Sequence, residues 1–363
     1  METQSTKAEI YVPALAISPE QLKTKYDLLK TVREKDHRSG LMLVFRPKDL
    51  ALEERQIILD NLDQFVGMSM EERPVIFAMH SNLPLSGPQR LNFLTNRRYS
   101  EEYIERSVDL VAQLPLELVP VSGRALSFHL NTLIIPEQWV SNEDFWKKAF
   151  EGVLKSVGDI TSYAERNGVI VAVETTPIPE YGDVIRDTDH MMDDEKTYWA
   201  DLGNPWPLLF WRDDISKLRQ TGAKIAIDIC HSFIALKAVQ EACRLVSRGK
   251  NGVLKDYMLF EDDLREVNNV NFIQMVQQNT RRGDIWHVSD AKGIYKTPKL
   301  QGEQSYFQEG VDLFEGDMPV ETLDRIIKYG LNSPIKFVLE TNEVDYLNNP
   351  NTKKSLARIV ERI

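Results

Sequence analysis

Six β-like apolar runs in this chain each end on a residue that can bind a metal ion. The runs are VIFAMH, ALSFH, VIVAVE, KIAIDICH, DIWH and IKFVLE, and they end on these candidate ligands: His80, His129, Glu174, Asp228 with His231, His287 and Glu340. Four of the six histidines in the chain fall at these positions. Strands that repeatedly end in this way are expected to converge on one point. The C-terminal ends of the strands in a parallel (β/α)8 barrel do so.

The alternation of side chains within these runs also predicts a barrel. Residues two apart in a strand share a face, so the face of the candidate ligands carries Ala78, Ser127, Ala172, Ala226 and Val338. The opposite face carries large apolar side chains, namely Val75, Phe77, Met79, Leu126, Phe128, Val171, Val173, Ile225, Ile227, Ile229, Phe337 and Leu339. A barrel strand needs this asymmetry, because its outer face packs on helices and its inner face fills a narrow core.

Strand and helix signals alternate along the chain, which predicts a single barrel domain over residues 1–363. The eight predicted strands are AEIYVPALAI, GLMLVFRP, RPVIFAMH, RALSFHL, VIVAVE, KIAIDIC, DIWHVS and IKFVLE. One connection is unusually long, an insertion at about residues 177–212 after the fifth strand, rich in Pro, Asp and Trp. Such loops on the C-terminal face either cover a substrate or pack as decoration.

Composition narrows the classes of partner. The net charge is −11, from 44 basic and 55 acidic residues, which disfavours DNA as a partner because DNA affinity rests largely on Lys and Arg. No apolar run is long enough to predict a membrane span, and the N-terminus does not resemble a signal peptide. Only two cysteines occur, as is usual in a reducing compartment. We therefore expect a cytoplasmic protein without a membrane partner.

These motifs resemble the xylose-isomerase-like barrel superfamily, which includes endonuclease IV and the sugar isomerases and epimerases. The resemblance runs from the third to the eighth predicted strand, and DICHSF, HVSDAKG and EGDMP are typical of it. It implies a TIM-barrel fold and one metal site whose ligands end strands five to eight. Those ligands would be Glu174, Asp228, His287 and Glu340.

The ligand pattern resembles endonuclease IV most closely. AMHSNLPLS and SFHLNTL are similar to segments that hold a further metal in that family, which implies that His80 and His129 bind a second ion with Glu174 as the bridge. The motif Asp-x-Cys-His is present as well, and it makes His231 a candidate ligand, or a group that orients Asp228 or binds substrate. The family's third-metal Asp-x-His is missing: Gln308 and Gly310 stand there, and Leu83 replaces its DNA-probing aromatic residue.

Carboxylate and imidazole ligands suit zinc, which we prefer, or manganese, iron or cobalt. Two ions would activate a water and clamp a phosphoryl oxygen, so the first hypothesis is hydrolysis of a phosphoester or sugar-phosphate linkage. One ion would polarise a carbonyl and a hydroxyl, and the alternative is a sugar or sugar-phosphate isomerase or epimerase with Glu174 and Glu340 as acid/base groups. A third hypothesis is a non-catalytic barrel that keeps the ligands as a scaffold.

Four further residues are candidate contacts for a sugar or sugar-phosphate substrate. Glu180 follows Glu174 by six positions, the spacing at which the resemblance to epimerases implies a carboxylate that holds hydroxyls. Asp290 and Lys292 lie in HVSDAKG, after the seventh strand. Arg46 ends the second predicted strand and is a candidate phosphate contact, with a surface ion pair as the alternative.

Overall fold

The structure is a computed structural model. It describes residues 8–35, 37–69, 73–81, 91–120, 123–134, 143–176, 184–186, 204–250, 252–268, 270–294, 305–343, 345 and 347–363. Within these ranges the strands are β1 Glu9–Leu15, β2 Ser39–Phe45, β3 Val75–Ser81, β4 Arg124–His129, β5 Asn131–Ile134, β6 Val169–Glu174, β7 Val184–Arg186, β8 Asn204–Pro205, β9 Lys224–Asp228, β10 Ile285–Val288, β11 Asp290–Ile294, β12 Ser305–Val311 and β13 Lys336–Leu339. The helices are α1 Pro19–Leu28, α2 Lys30–Arg33, α3 Leu52–Val66, α4 Arg97–Ala112, α5 Glu143–Arg166, α6 Asp214–Gln220, α7 Ile229–Ser247, α8 Val253–Asp256, α9 Glu261–Val267, α10 Phe272–Asn279, α11 Val320–Leu331 and α12 Pro350–Val360. Short 3-10 turns cover Pro47–Leu50 and Leu116–Leu118.

Eight strands close into a barrel in the order β1-β13-β10-β9-β6-β4-β3-β2. Every neighbouring pair is parallel. Parallel neighbours need crossover connections, and the helices between successive strands provide them. The predicted (β/α)8 barrel is confirmed, with all eight predicted strands in it.

The barrel interior is filled by side chains of the alternate positions, and it forms a cluster separate from the outer core. Its buried members are Tyr11, Met42, Phe77, Ala78, Ala125, Ala172, Ala226, Ile285 and Val338. The small residues lie in the middle of the barrel, directly beneath the strand ends that carry the candidate ligands. They leave room above them for a group of larger polar side chains.

One strand departs from the expected alternation. Along β2 and β3 the pairing passes from Leu41↔Ile76 to Met42↔Ala78, so Phe77 is an extra residue in a β-bulge. A bulge reverses the faces of the residues before it. Val75 and Phe77 therefore belong to the inner cluster, and the expectation that they face outward is wrong.

The outer faces of the strands pack on the helices, as the alternation predicts. Leu126, Phe128, Val171, Val173 and the other outward residues of β4, β6, β9 and β13 are buried in one continuous core. The segment that forms α11 is amphipathic, because its buried residues recur at helical spacing. Those on the buried face are Leu323, Ile326, Ile327, Gly330 and Leu331. Truncating a large residue of such a core to alanine typically costs about 2–5 kcal/mol.

The N-terminal end of the barrel is closed by charged and aromatic side chains. Lys336 at the start of β13 forms an ion pair with Glu9 of β1, and the Tyr11 hydroxyl donates a 2.7 Å hydrogen bond to the same carboxylate. The Lys336 ammonium also lies 4.8 Å from the centre of the Phe77 ring. These contacts fill the N-terminal end of the barrel interior.

Two small sheets lie outside the barrel. β11 and β12 are antiparallel, and β12 also pairs with β7 in parallel; β5 pairs with β8. β5 and β11 directly follow β4 and β10, so both sheets start from the C-terminal end of the barrel. Of the predicted insertion at 177–212, only 184–186 and 204–212 belong to the described residues, and its extent stays a prediction.

Among the described helices, none has the length and apolar character that crossing a membrane requires.

Candidate metal centre

Six of the predicted ligands meet at the C-terminal end of the barrel. Their nitrogen and oxygen atoms form two groups, each with all members within 4.8 Å of one another. One group is His80, His129 and Glu174, and the other is Glu174, Asp228, His287 and Glu340. We call these six residues the six-residue centre. Glu174 belongs to both groups, so its carboxylate is the hub.

The carboxylate of Glu174 is surrounded by imidazoles. Its Oε2 lies 2.9 Å from Nε2 of His80, and its Oε1 lies 3.2 Å from both Nε2 of His129 and Nδ1 of His287. Parallel pairing aligns the strand ends, since His129 of β4 is directly opposite Glu174 of β6. The convergence predicted from the sequence is thus a consequence of barrel register.

His287 shows that the centre is built for more than internal hydrogen bonds. Its side chain is fully buried, and its Nδ1 lies 3.2 Å from Glu174 and 2.9 Å from Glu340. Neither ring nitrogen nevertheless has a hydrogen-bond partner in acceptable geometry among the described residues. A buried polar atom without a partner is costly. A cation between imidazole and carboxylates would satisfy Nδ1, so these residues fit a bound metal ion.

The electrostatics of the centre point the same way. Burial would raise the pKa of Glu174, but His287, His129 and His80 outweigh it and hold this pKa well below its usual range. Burial raises the pKa of Asp228 to about 7. Burial would lower the pKa of His287, but Glu174 and Glu340 raise it well above the usual value. The carboxylates of Glu174, Asp228 and Glu340 lie close together, so positive charge is needed to offset their mutual repulsion. Imidazolium protons or a divalent cation can supply it.

The sixth predicted strand ends earlier than its apolar run. β9 stops at Asp228, whose side chain accepts a 2.7 Å hydrogen bond from the backbone N–H of His231 and caps α7. Aspartate favours the position before a helix because it satisfies a free N–H group there. Cys230 and His231 therefore lie in the first turn of a helix. Thr175 holds this junction, since its hydroxyl accepts a 2.9 Å hydrogen bond from the Asp228 N–H.

His231 lies beside the six-residue centre, outside both groups of converging atoms. Its Nδ1 is 3.0 Å from the carbonyl oxygen of Thr175 and 3.7 Å from Oε1 of Glu174. Its Nε2 points the other way and lies 3.6 Å from a carboxylate oxygen of Glu309. Of the predicted roles for His231, this position favours orientation of Asp228 or contact with substrate over metal ligation.

Sequence reasoning missed Glu309. It placed Gln308 and Gly310 at the positions of a third-metal motif and passed over the residue between them. β12 turns this residue toward His231, and its side chain is 18% exposed. A signal was present, because the run SYFQE is another β-like stretch that ends on an acidic residue.

Two of the predicted substrate contacts have partners within the protein, and their role toward a substrate stays a prediction. The guanidinium of Arg46 pairs with the buried Asp49 at 3.2 Å within the turn after β2, which is the ion-pair alternative. The carboxylate of Asp290 accepts hydrogen bonds from the backbone N–H groups of Ala291, Gly316 and Met318, at 2.8, 3.0 and 3.2 Å. Asp290 therefore caps a loop.

The other two predicted contacts stay predictions. Lys292 lies on β11, where it pairs with Gln308 and its side chain is exposed to solvent. Glu180 lies outside the residues that the structure describes.

Comparisons with known proteins find the fold but no sequence relative. No protein-family model matches the chain, and no curated protein sequence matches it. The 3-keto-D-glucoside 4-epimerase of E. coli, in its apo form, superposes with a TM-score of 0.51 at 12% identity, over 97% of this chain and 99% of that one. The probable 3-DHS dehydratase of Bacillus anthracis involved in petrobactin synthesis gives 0.51 at 10% identity, over 96% and 98%. A xylose isomerase domain protein of Planctomyces limnophilus gives 0.49 at 13% identity, over 98% and 95%. The chain therefore has the (β/α)8 barrel fold that its motifs led us to expect, and it shares this fold with the E. coli epimerase.

Proposed function

We propose that this chain is a divalent-metal-dependent sugar isomerase or epimerase. One observation carries the proposal: Glu174, Asp228, His287 and Glu340 offer atoms within 4.8 Å of one another at the open end of the barrel. Three carboxylates and one imidazole suit a hard or borderline divalent cation such as manganese, cobalt or zinc. This places our alternative hypothesis ahead of the hydrolase.

A divalent ion held there would polarise the carbonyl and the neighbouring hydroxyl of a sugar, which would acidify the proton on the carbon that carries the hydroxyl. In this proposal Glu174 and Glu340 move that proton. Glu174 is almost fully buried and Glu340 has a 36% exposed side chain. One carboxylate would take the proton from that carbon and leave an enediolate. A proton returned to the same carbon from the opposite face would give the epimer. A proton returned to the former carbonyl carbon, with a proton exchanged between the two oxygens, would give the isomer.

The comparisons support this proposal over hydrolysis. The E. coli protein that shares the fold over nearly the whole chain is a 3-keto-D-glucoside 4-epimerase, so a sugar reaction is known on this barrel. A shared fold is an argument by analogy; the ligand set of this chain is the physical part of the argument.

Solvent deuterium incorporation tests the proposal. The chain, loaded with manganese, is incubated in D2O with a panel of unphosphorylated and phosphorylated ketoses, and the sugar carbons are followed by NMR. We expect deuterium at the carbon next to the carbonyl together with the isomer or epimer, because the abstracted proton exchanges with solvent. Metal-free protein should give neither. Turnover without any exchange would refute proton transfer by the two glutamates, and no conversion of any sugar with any metal tried would refute the proposed function.

A second candidate function rests on the other group of ligands. His80, His129 and Glu174 also converge, and with a bridging Glu174 the six-residue centre could hold two ions. Two ions would suit hydrolysis of a phosphoester or sugar-phosphate linkage, as our first hypothesis stated.

Metal stoichiometry distinguishes the two candidates. We expect about one ion per chain by plasma mass spectrometry, unchanged in the double variant His80→Ala, His129→Ala, because the four ligands of the other group remain. Activity on a phosphate ester such as p-nitrophenyl phosphate should be absent. Two ions per chain falling to one in the variant, with phosphate ester hydrolysis falling too, would replace the isomerase by the hydrolase.

A further inference from the structure

Glu309 and His231 form a polar pair at the edge of the six-residue centre. Nε2 of His231 faces a carboxylate oxygen of Glu309 at 3.6 Å. The opposite nitrogen, Nδ1, lies 3.0 Å from the carbonyl oxygen of Thr175. A carbonyl oxygen can only accept, so we assign the Nδ1 proton to this bond. Nε2 then faces the Glu309 carboxylate, and the two groups together form one polar edge.

The backbone around Glu309 is held firmly. Asn342, two residues after Glu340, donates from its backbone N–H to the carbonyl of Gly310 at 2.8 Å and from its side chain to the carbonyl of Glu309 at 2.7 Å. Gly310 has a φ of +66°, and a Cβ there would lie 2.7 Å from the Asn342 side chain. Only glycine fits this close approach. The strand end that carries Glu309 is thus tied to the segment that follows a metal ligand.

The pair matches a sugar hydroxyl in its hydrogen-bonding chemistry. A hydroxyl both donates and accepts, so it can donate to the Glu309 carboxylate and meet the His231 ring at once. A phosphate offers only acceptors and negative charge. In the same place it would face the Glu309 carboxylate, and like charges repel. The cation predicted to bind phosphate, Arg46, is paired with Asp49.

We infer that Glu309 is a specificity residue: with His231 it binds a hydroxyl of an unphosphorylated sugar and rejects the phosphorylated form. This inference rests on the proposed isomerase or epimerase function and names its substrate class. Glu309 contacts the substrate directly, and its negative charge discriminates against the phosphorylated sugar.

The substitution Glu309→Gln tests the inference because it keeps the shape and removes the charge. For the manganese-loaded chain we expect kcat/KM to favour unphosphorylated ketohexoses over their 6-phosphates by about tenfold or more, which corresponds to about 1.4 kcal/mol. Glu309→Gln should reduce this preference by about tenfold, chiefly through KM. A preference unchanged by the substitution, or a wild-type chain that favours the phosphates, would overturn the inference.

A matched control is Glu315→Gln, which removes an exposed carboxylate that pairs with Lys354 at 3.0 Å. It should keep the wild-type preference. Asn342→Ala is a second probe, because it leaves the Glu309 charge in place and loosens its support. It should raise KM for neutral sugars while the phosphates stay poor substrates; phosphates becoming good substrates would contradict the role of the charge.

Calorimetric binding separates this inference from the proposed function. If no sugar is converted, D-fructose and D-fructose 6-phosphate are titrated into the same manganese-loaded proteins. Preferential binding of D-fructose that Glu309→Gln weakens would support the subsite although the isomerase fails. Equal binding of either sugar to both proteins would overturn the subsite.

Discussion

Replacing Glu174 by glutamine is expected to remove metal binding and turnover together, with kcat/KM falling by roughly a thousandfold, about 4 kcal/mol of transition-state stabilisation. The reason is the position of this carboxylate at the hub of the six-residue centre. It contacts His80, His129 and His287 at 2.9–3.2 Å and belongs to both groups of converging atoms. Glutamine keeps the volume but is a far weaker cation ligand, and the buried ring of His287 loses one of its two carboxylates.

The measurements are metal content by plasma mass spectrometry and turnover of the sugar identified by deuterium incorporation. Glu151→Gln, on the exposed face of α5, is the matched control for loss of one carboxylate and should behave as wild type. Circular dichroism would show whether the Glu174→Gln barrel is folded. A folded variant that retains full metal content and turnover within tenfold of wild type would remove Glu174 from the site.

Binding of a divalent metal should stabilise the folded chain substantially. At a free metal concentration of 100 times Kd, the gain is about 2.7 kcal/mol in the free energy of unfolding, or a rise of roughly 5 °C in Tm. The stabilisation arises because Glu174, Asp228 and Glu340 crowd together only when folded, so the native state binds the ion and the unfolded chain does not. Thermal unfolding with manganese or zinc, before and after chelation, measures this effect.

The control for this effect is the Glu174→Gln variant, whose Tm should not respond to the metal. Potassium chloride at equal ionic strength separates specific binding from general screening of the acidic chain. No shift in Tm with any of the divalent metals tested would mean that the converging carboxylates and imidazoles do not form a metal site.

Much of the fold was predictable from local patterns. Strands that alternate with helices specify a parallel sheet, and apolar runs of alternating side-chain size specify closure of that sheet into a barrel. The same register argument predicted that His129, Glu174 and His287 would converge, because parallel neighbours in a barrel bring their C-terminal ends to one edge. The structure agrees on each of these points.

The misses share a cause, which is that they depend on contacts between distant parts of the chain. The bulge at Phe77 exists in the pairing of β3 with β2, and no property of β3 alone reveals it. Glu309 lies beside His231 because a hydrogen bond from the side chain of Asn342 holds the end of β12 there, and this contact joins separate segments of the chain.

The sequence by itself determined which residues face the barrel axis on most strands, because the alternation of side chains along a strand is a local property. It also determined which of these residues lie at the C-terminal ends of the strands. Only the tertiary structure decided which polar groups have hydrogen-bond partners within the protein and which remain available to a ligand. The carboxylate of Asp290 accepts hydrogen bonds from backbone N–H groups. The ring nitrogens of His287, in contrast, have no hydrogen-bond partner among the described residues, although two carboxylates lie beside the ring. That difference arises from packing between segments far apart in the chain, where each hydrogen bond has to be satisfied in three dimensions.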